Sequence, residues 1–406
     1  MEKYSVILSA YECSPDHGSE AGLGWNWVMA ASKFPEFERV HVITMDRYQE
    51  NIDKFLKVNR DELKNVVFHF VSLPMQNLPH LNQRFKYILW QKKILPVAKD
   101  ICEQENIAFI HHVTWATCVF SSNLYKCRVP FVYGPVGGGE RIPNEIDLQM
   151  SKRDRVVENI RNLVADVSMM TFAKRKCLKK ASLILTTTDE TRKLIGNKYK
   201  SKTAILQSIG INELPKNKRI LNQKNFTILM AGRMLCWKGF DIAIDVMNLL
   251  RNQDNTIKLL IAGGGRNEKM YRDKAKDLRN IEFLGNLSFA EMQKQYAQAD
   301  VLLNCSLHDS GCMVVLEALS YGIPIVAIDT GGPHVLLGGG TAGVLIKPDC
   351  VSKMVENIAD VIIELKNDRV RLKEYSQGAI VQANKFQFEL KYEAIVRELK
   401  SKGVIR

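Results

Sequence analysis

Nowhere does this chain run for the roughly 18 to 20 uninterrupted apolar residues that a membrane-spanning helix needs, so a helical transmembrane span is excluded. Its start, Met1-Glu2-Lys3-Tyr4, goes straight into an apolar strand without a basic region or a small-residue cleavage site. That is not a secretory signal, and the expectation is a protein that begins and stays in the cytoplasm. The nine cysteines are odd in number and form no C-x-x-C pair. This argues against a disulfide scaffold and a structural zinc site, and leaves them as reduced, mostly buried small apolar residues. Internal repeats and low-complexity tracts are also missing. The one glycine run of dehydrogenase type, Gly263-x-Gly265, meets Glu268 where a third small residue belongs, so a nicotinamide cofactor is not expected.

What is present suits two α/β domains. The 406 residues are 46% hydrophobic, too many for one ordinary core. Short apolar runs alternate with longer amphipathic stretches, the pattern of βα units around parallel sheets. Expected strands in the first half are Tyr4–Ala10, Val40–Met45, Val66–Val71, Ala108–His112, Pro130–Tyr133, Leu183–Thr187 and Thr203–Leu206. A second series comprises Phe226–Ala231, Lys258–Ala262, Ile281–Leu284, Asp300–Asn304, Ile323–Ala327 and Gly343–Ile346. The polar stretch Asn212 to Asn225 between them reads as an interdomain linker, and residues 141–180 as a long basic helical insertion. Lys and Arg outnumber Asp and Glu by 57 to 44, and a field of +13 favours nucleic acid, phosphates or an anionic membrane surface.

Two segments carry the sharpest chemistry. His308-Asp309-Ser310-Gly311-Cys312-Met313 follows an expected strand and should open a helix at the carboxyl edge of a sheet. Unpaired backbone N–H groups and the helix dipole there favour a phosphate. Glu317 stands alone among Val314, Val315, Leu316, Ala318 and Leu319, where a carboxylate is costly unless it finds donors such as a ribose diol. Upstream, Gly232-Arg233-Met234-Leu235-Cys236-Trp237-Lys238-Gly239 places an Arg fork and a Lys point charge on one strand-to-helix turn, suited to a departing diphosphate. On pattern alone the same residues also read as an N-cap, a rim ion pair and two solvated cations.

Taken together these segments resemble the donor domain of the family-4 retaining glycosyltransferases, the glycosyl transferases group 1. The shared order is Gly232-Arg233 with Lys238-Gly239, Gly263-Gly264-Gly265, Asp309 and Glu317 with seven residues between them, and Thr330-Gly331-Gly332-Pro333. The resemblance implies a GT-B architecture, two Rossmann-like α/β domains facing a central cleft. Residues 1–214 would bind the acceptor and 215–385 the donor, with the last helix, about 386–406, packing back on the first domain. It further implies that Arg233 and Lys238 hold the diphosphate, Glu317 the ribose, and Asp309 with the backbone after it the donor sugar. Gly232, Gly264, Gly285, Ser310, Gly311, Cys312 and Met313 complete the donor site. Asp309 stands where the family usually has Glu, which keeps the charge but shortens the reach.

The first half matches a branch of the same family. Ser9 to Pro15 and Gly18 to Trp25 resemble its first strand, glycine loop and helix start, with Gly22 and Gly24 letting the backbone approach the donor. Glu20, Gly137, Gly138 and Glu140 would lie on the acceptor side. Many members carry a functional His after the strand that here continues as Gly134-Pro135; His112 is a substitute candidate for catalysis, and His111 a core residue. No D-x-D occurs, so no metal and no other cofactor are expected, and no nucleophile pairs with an obvious base. The implied reaction is retaining transfer of a hexose-type sugar from a UDP- or GDP-linked nucleotide sugar to a glycan or lipid-linked acceptor, in cell-surface polysaccharide biosynthesis. The basic aromatic run Arg84 to Lys93 suits a peripheral contact with an anionic membrane surface at the inner face, or an ordinary amphipathic helix. Two alternatives stay open. A nucleotide-sugar epimerase or other GT-B enzyme would use carboxylates such as Glu12, Glu20 and Glu140, and an anionic-polymer binding protein would use the net charge. The basic residues fall on expected helices without an RNA-binding aromatic motif, so nucleic acid is not an expected partner.

Overall fold

The computed structural model describes residues 3–73, 82–115, 117–215 and 225–406. The chain forms two units. The first comprises Met1–Gly139, Leu163–Asn212 and Gln387–Arg406, and the second Glu140–Asn162 and Glu213–Phe386. In chain order the elements of the first half are β1 (Tyr4–Ala10), α1 (Ser19–Lys33), β2 (Phe37–Met45), α2 (Gln49–Asn59), β3 (Val66–Val71), α3 (Gln83–Gln104), β4 (Ile107–Thr114), β5 (Phe131–Val136), α4 (Lys152–Met170), α5 (Phe172–Lys180), β6 (Leu183–Thr186), α6 (Asp189–Ile195) and β7 (Thr203–Ile205). Those of the second half are β8 (Phe226–Ala231), α7 (Phe240–Leu250), β9 (Ile257–Ala262), α8 (Glu268–Lys274), β10 (Ile281–Gly285), α9 (Phe289–Gln298), β11 (Val301–Asn304), α10 (Met313–Ser320), β12 (Ile325–Ile328), α11 (Gly331–Leu337), β13 (Gly343–Ile346), α12 (Val351–Asn367), α13 (Arg369–Asn384) and α14 (Glu389–Ser401).

Both sheets are wholly parallel, with strand orders β3-β2-β1-β4-β5-β6-β7 and β10-β9-β8-β11-β12-β13. Strands covered on both faces must be apolar throughout, and Val6, Ile7, Leu8, Ile228 and Leu229 have no exposed surface. The order reverses beside β1 in one unit and beside β8 in the other. Such switch points open a crevice at the carboxyl ends of the strands, where open α/β sheets bind ligands. This is the two-Rossmann-domain class that the sequence implies.

Two features depart from the sequence reading. Residues 140–162, counted there within 1–214, belong to the second unit. Ile146 joins its core, Asp147 Oδ1 accepts from Val351 N at 2.6 Å, and Glu158 bonds His308 at 3.1 Å. The chain thus leaves the first unit after β5 and returns along α4. Of the expected linker Asn212–Asn225, residues 216–224 lie outside the described residues. The C-terminal segment packs in the first unit, where Phe388 N donates to Ile211 O at 3.0 Å and Tyr392 of α14 packs edge-on against Trp27 of α1. All the cysteines are free, and only Cys102 and Cys350 escape full burial.

Candidate functional site

In the second unit five adjacent strands, β10-β9-β8-β11-β12, contribute their carboxyl ends. The turn after β8 runs from Gly232 through a 3-10 turn at Cys236–Lys238 into α7. Leu307 N donates to Trp237 O at 2.8 Å, which stitches that turn to the loop after β11. The Lys238 ammonium consequently rests on Asp309 Oδ2. Asp309 Oδ1 faces the amides of Gly311 and Cys312 at 3.4 Å each, and its carbonyl accepts from Gly332 N at 2.7 Å. Burial disfavours both charges, yet the pair prevails. Asp309 is held below its ordinary carboxyl value and Lys238 above its ordinary amine value. Gly331 has a left-handed φ of 44°, and a Cβ there would lie 2.3 Å from the Asp309 carbonyl, so only glycine fits.

Ser310 and Gly311 lead into α10, whose N-cap Cys312 is left-handed at φ 52° and offers no side-chain cap. Glu317 sits one turn into this helix, mostly buried. Burial raises its pKa, opposed by the Tyr296 hydroxyl, which donates to Oε2 at 2.6 Å. Arg233 is exposed, and its charge opposes that of Lys238. On the far side of β8 the backbone ties the expected glycines to one edge. Gly232 N donates to Ala262 O at 3.0 Å, Met234 N to Gly264 O at 2.9 Å, and Gly263 N to Gly285 O at 2.7 Å. The structure therefore gathers Gly232, Lys238, Gly264, Gly285, Asp309 and the start of α10 along one edge of one sheet.

Glu140, expected on the acceptor side with Glu20, is buried in the second unit and not in the first, its Cγ 3.1 Å from where a Gly331 Cβ would stand. Two further residues of this site, Glu158 and Arg161, are absent from the sequence reading, which names His308 in its segment but gives it no role. His308 stacks on Trp237 at 5.3 Å and bonds Glu158 at 3.1 Å, and Arg161 bonds Glu158 at 2.7 Å. Glu158 is half-desolvated, yet His308 and Arg161 hold its carboxyl down to about 2. The available signal is Asp154 and Glu158, acids four apart on one face of a helix that begins with three cations, Lys152, Arg153 and Arg155.

In the first unit the loop after β1 borders a cleft of about 480 Å³ lined by Glu12, Glu20, Tyr48, Trp115 and Thr117 among others. Glu12 is committed, accepting from Arg47 and Tyr48 at 2.8 Å each. Glu20 is not, and burial with the Glu12 charge pushes its carboxyl up to about 7. Gly137 pairs with Thr117 of the cleft wall, and Gly138 follows at φ 103°. Gly22 and Gly24 answer to packing, because a Cβ would stand 2.3 Å from the His17 carbonyl and 2.0 Å from the Glu12 carbonyl.

His112 is a core histidine. It is 2% exposed, Ser9 Oγ lies 3.3 Å from Nδ1 and Tyr87 Oη 2.9 Å from Nε2, and burial holds its pKa down to about 3. Both nitrogens are engaged inside the sheet layer, so no acid–base role follows. His111 is likewise engaged, by Tyr392 and the Gly134 carbonyl.

The Glu20 carboxyl gives a stability prediction. Its folded value lies above the ordinary 4.5, so the folded chain keeps a proton that the unfolded chain releases. That contribution is complete below about pH 4.5 and fades as pH rises towards 7, over a range worth up to about 3 kcal/mol. Glu20→Gln is therefore expected to melt higher than the parent at about pH 8 and no higher at about pH 4. Melting curves that differ equally at both values would remove the assignment.

Residues 212–379 match the family model for glycosyl transferases group 1. That span takes in Gly232, Lys238, Asp309 and Glu317, and it leaves the first unit's sheet outside. Over 206 residues the chain is 26% identical to an uncharacterized glycosyltransferase of Haemophilus influenzae, covering 50% of this chain and 57% of that protein. Over 152 residues it is 30% identical to a GDP-mannose-dependent monoacylated alpha-(1-6)-phosphatidylinositol monomannoside mannosyltransferase of Corynebacterium glutamicum, covering 36% and 39%. The chain thus aligns with about half the length, or less, of these curated relatives. Among solved structures, Anabaena Alr3699/HepE in complex with UDP and glucose superposes with a TM-score of 0.59 at 16% identity, covering 98% of this chain and all of that one. At that identity the likeness is one of fold.

Proposed function

We propose that this chain is a retaining, metal-independent glycosyltransferase. It moves a hexose-type sugar from a UDP- or GDP-linked donor to a glycan or lipid-linked acceptor, in cell-surface polysaccharide biosynthesis. The observation that carries this reading is the Lys238–Asp309 pair, set at the carboxyl edge of the sheet beside the uncapped N-terminus of α10 with Glu317 one turn further in. A nucleoside diphosphate fits these groups. Lys238 and Arg233 neutralise the diphosphate, the amides of α10 add donors, and Glu317 accepts from the ribose hydroxyls. Asp309 orients Lys238 and, with the backbone of Ser310 to Met313, meets the donor sugar. Glu20, Gly137 and Gly138 of the first unit serve the acceptor.

The chemistry asks little of a base. As the sugar–phosphate bond breaks, charge gathers on the leaving phosphate, and preorganised cations stabilise it more than they stabilise the donor. The leaving phosphate oxygen takes the acceptor's proton on the face where the new bond forms, so configuration is retained. The phosphatidylinositol acceptor named for one relative supports a lipid-linked acceptor and a peripheral place at the inner membrane face. No helix among the described residues is long and apolar enough to cross a membrane.

A thermal-shift screen of the purified chain against UDP, GDP, ADP and their sugar conjugates, with and without EDTA, tests the proposal. Stabilisation by one nucleoside diphosphate, unchanged by EDTA and lost in Lys238→Ala, is expected. A shift that vanishes with EDTA would sink metal independence, and no shift with any of them would sink the donor site.

A further inference from the structure

Helix α4 is amphipathic the wrong way round for a protein surface. Val156, Ile160, Leu163, Val167 and Met170 follow each other at spacings of four and three, which places them on one face. That face is solvent-exposed: Ile160 is 55% exposed, Leu163 61% and Met170 66%. The buried side is polar instead. Asp154 pairs with Arg266, Glu158 with His308, and Ser168 bonds the Ala165 carbonyl at 2.7 Å. The stripe continues past the helix end to Phe172, 72% exposed at the start of α5, with Lys176 Nζ 4.3 Å from its ring centroid. An apolar row of this length left in water marks a surface that is covered in use.

Charge decides what covers it. Lys152, Arg153 and Arg155 are exposed at one end of the row, and Arg175, Lys176, Lys179 and Lys180 at the other. A second copy paired through the same stripe, parallel or antiparallel, would set cations against cations at both ends. An anionic lipid surface meets both features at once, with apolar side chains entering the acyl boundary and ammonium and guanidinium groups on the phosphates. We propose that the exposed face of α4, continued through Phe172 and the basic residues of α5, lies in an anionic membrane surface. The proposal gives a place to the membrane contact suggested above and does not depend on the transferase chemistry. The α4 face is a longer apolar row than α3 offers within Arg84–Lys93, where Phe85 and Ile88 are exposed while Lys86, Tyr87, Trp90 and Gln91 are buried.

The test is flotation of the full chain with vesicles of phosphatidylcholine alone or mixed with phosphatidylglycerol, alongside light scattering of the free protein. Binding to the mixed vesicles only, weakened by salt, is expected. In the variant Ile160→Ser/Leu163→Ser/Val167→Ser, with an unchanged melting temperature, the partition coefficient should fall roughly tenfold or more. A second variant, Arg175→Glu/Lys179→Glu, should lose binding without touching the apolar row. Parent protein that floats with neither vesicle at low salt overturns membrane contact as a whole. Variants that float like the parent overturn this surface while leaving membrane contact standing. A parent dimer that the serine variant converts to monomer overturns the lipid in favour of a second copy. Nucleoside diphosphate binding, read by thermal shift, should be the same in parent and variants.

Discussion

Lys238→Ala is expected to lower turnover at saturating donor by about a hundredfold or more while both sheets stay folded. Lys238 is placed by the backbone, on the 3-10 turn between β8 and α7, so removing its side chain leaves the turn's hydrogen bonds in place. What it removes is a cation beside the loop at the N-terminus of α10, where the helix dipole also favours negative charge. Because leaving-group charge grows as the bond breaks, the loss should fall on kcat more than on KM. A structural cost is expected too. Asp309 loses its charge partner and keeps weaker contacts from the Cys312 thiol and two long amide contacts, so its pKa rises from its present depressed value. A depressed carboxyl contributes stability above its unfolded pKa, lost as pH falls through the folded one, and the variant forfeits that contribution at neutral pH. Both side chains keep 21% of their surface, so the cost is on the order of 1 kcal/mol, a few degrees in Tm. Lys238→Arg should recover melting and part of kcat. A folded Lys238→Ala protein within about fivefold of the parent would place the leaving group elsewhere.

Much of this molecule is legible in its residues. Each expected strand has an observed counterpart, displaced by a few residues at most, because strands buried on both faces in parallel sheets must be nearly continuous apolar runs. Asp309, Lys238 and the glycines along their sheet edge are findable because they punctuate the ends of those strands. Where the sequence pattern leaves more than one meaning, neighbours across the fold decide between them. His111 and His112 are adjacent on β4, which lies inside its sheet between β1 and β5, so both side chains enter packed layers. His111 is the core residue its sequence suggests, and His112, the catalytic candidate beside it, is buried as deeply. Gly22 and Gly24 invite a ligand-approach reading, whereas the Glu12 and His17 carbonyls are what require them. The excursion of residues 140–162 carries no sequence mark at all. Its helix has an apolar stripe that any pattern rule turns inward, and the polar side that packs finds its partners in Arg266 and His308, more than a hundred residues away.

Glu317→Ala should also cost roughly a hundredfold or more in kcat/KM, but through the donor rather than the leaving group, with the fall concentrated in KM for the nucleotide sugar and in nucleoside diphosphate affinity. The carboxylate sits a turn inside α10, too far along the helix to join the amides at its start, with Tyr296 donating to one of its oxygens. Burial raises its pKa, which ties donor affinity to pH in a determined direction. The ionised form accepts from a diol and the protonated form does so poorly, so affinity should weaken as pH falls through that raised pKa. Glu317→Gln should abolish this acid limb. The stability effect runs the other way. A carboxyl with a raised folded pKa opposes folding once pH exceeds its unfolded value, so Glu317→Gln, still able to accept from Tyr296, should melt at or slightly above the parent at neutral pH. Tyr296→Phe should leave donor binding within a few-fold, because it frees an oxygen without removing the charge. A Glu317→Gln protein that melts lower and binds nucleoside diphosphate as the parent does would make this residue a strut of α10, and the ribose contact would have to be sought on another strand end.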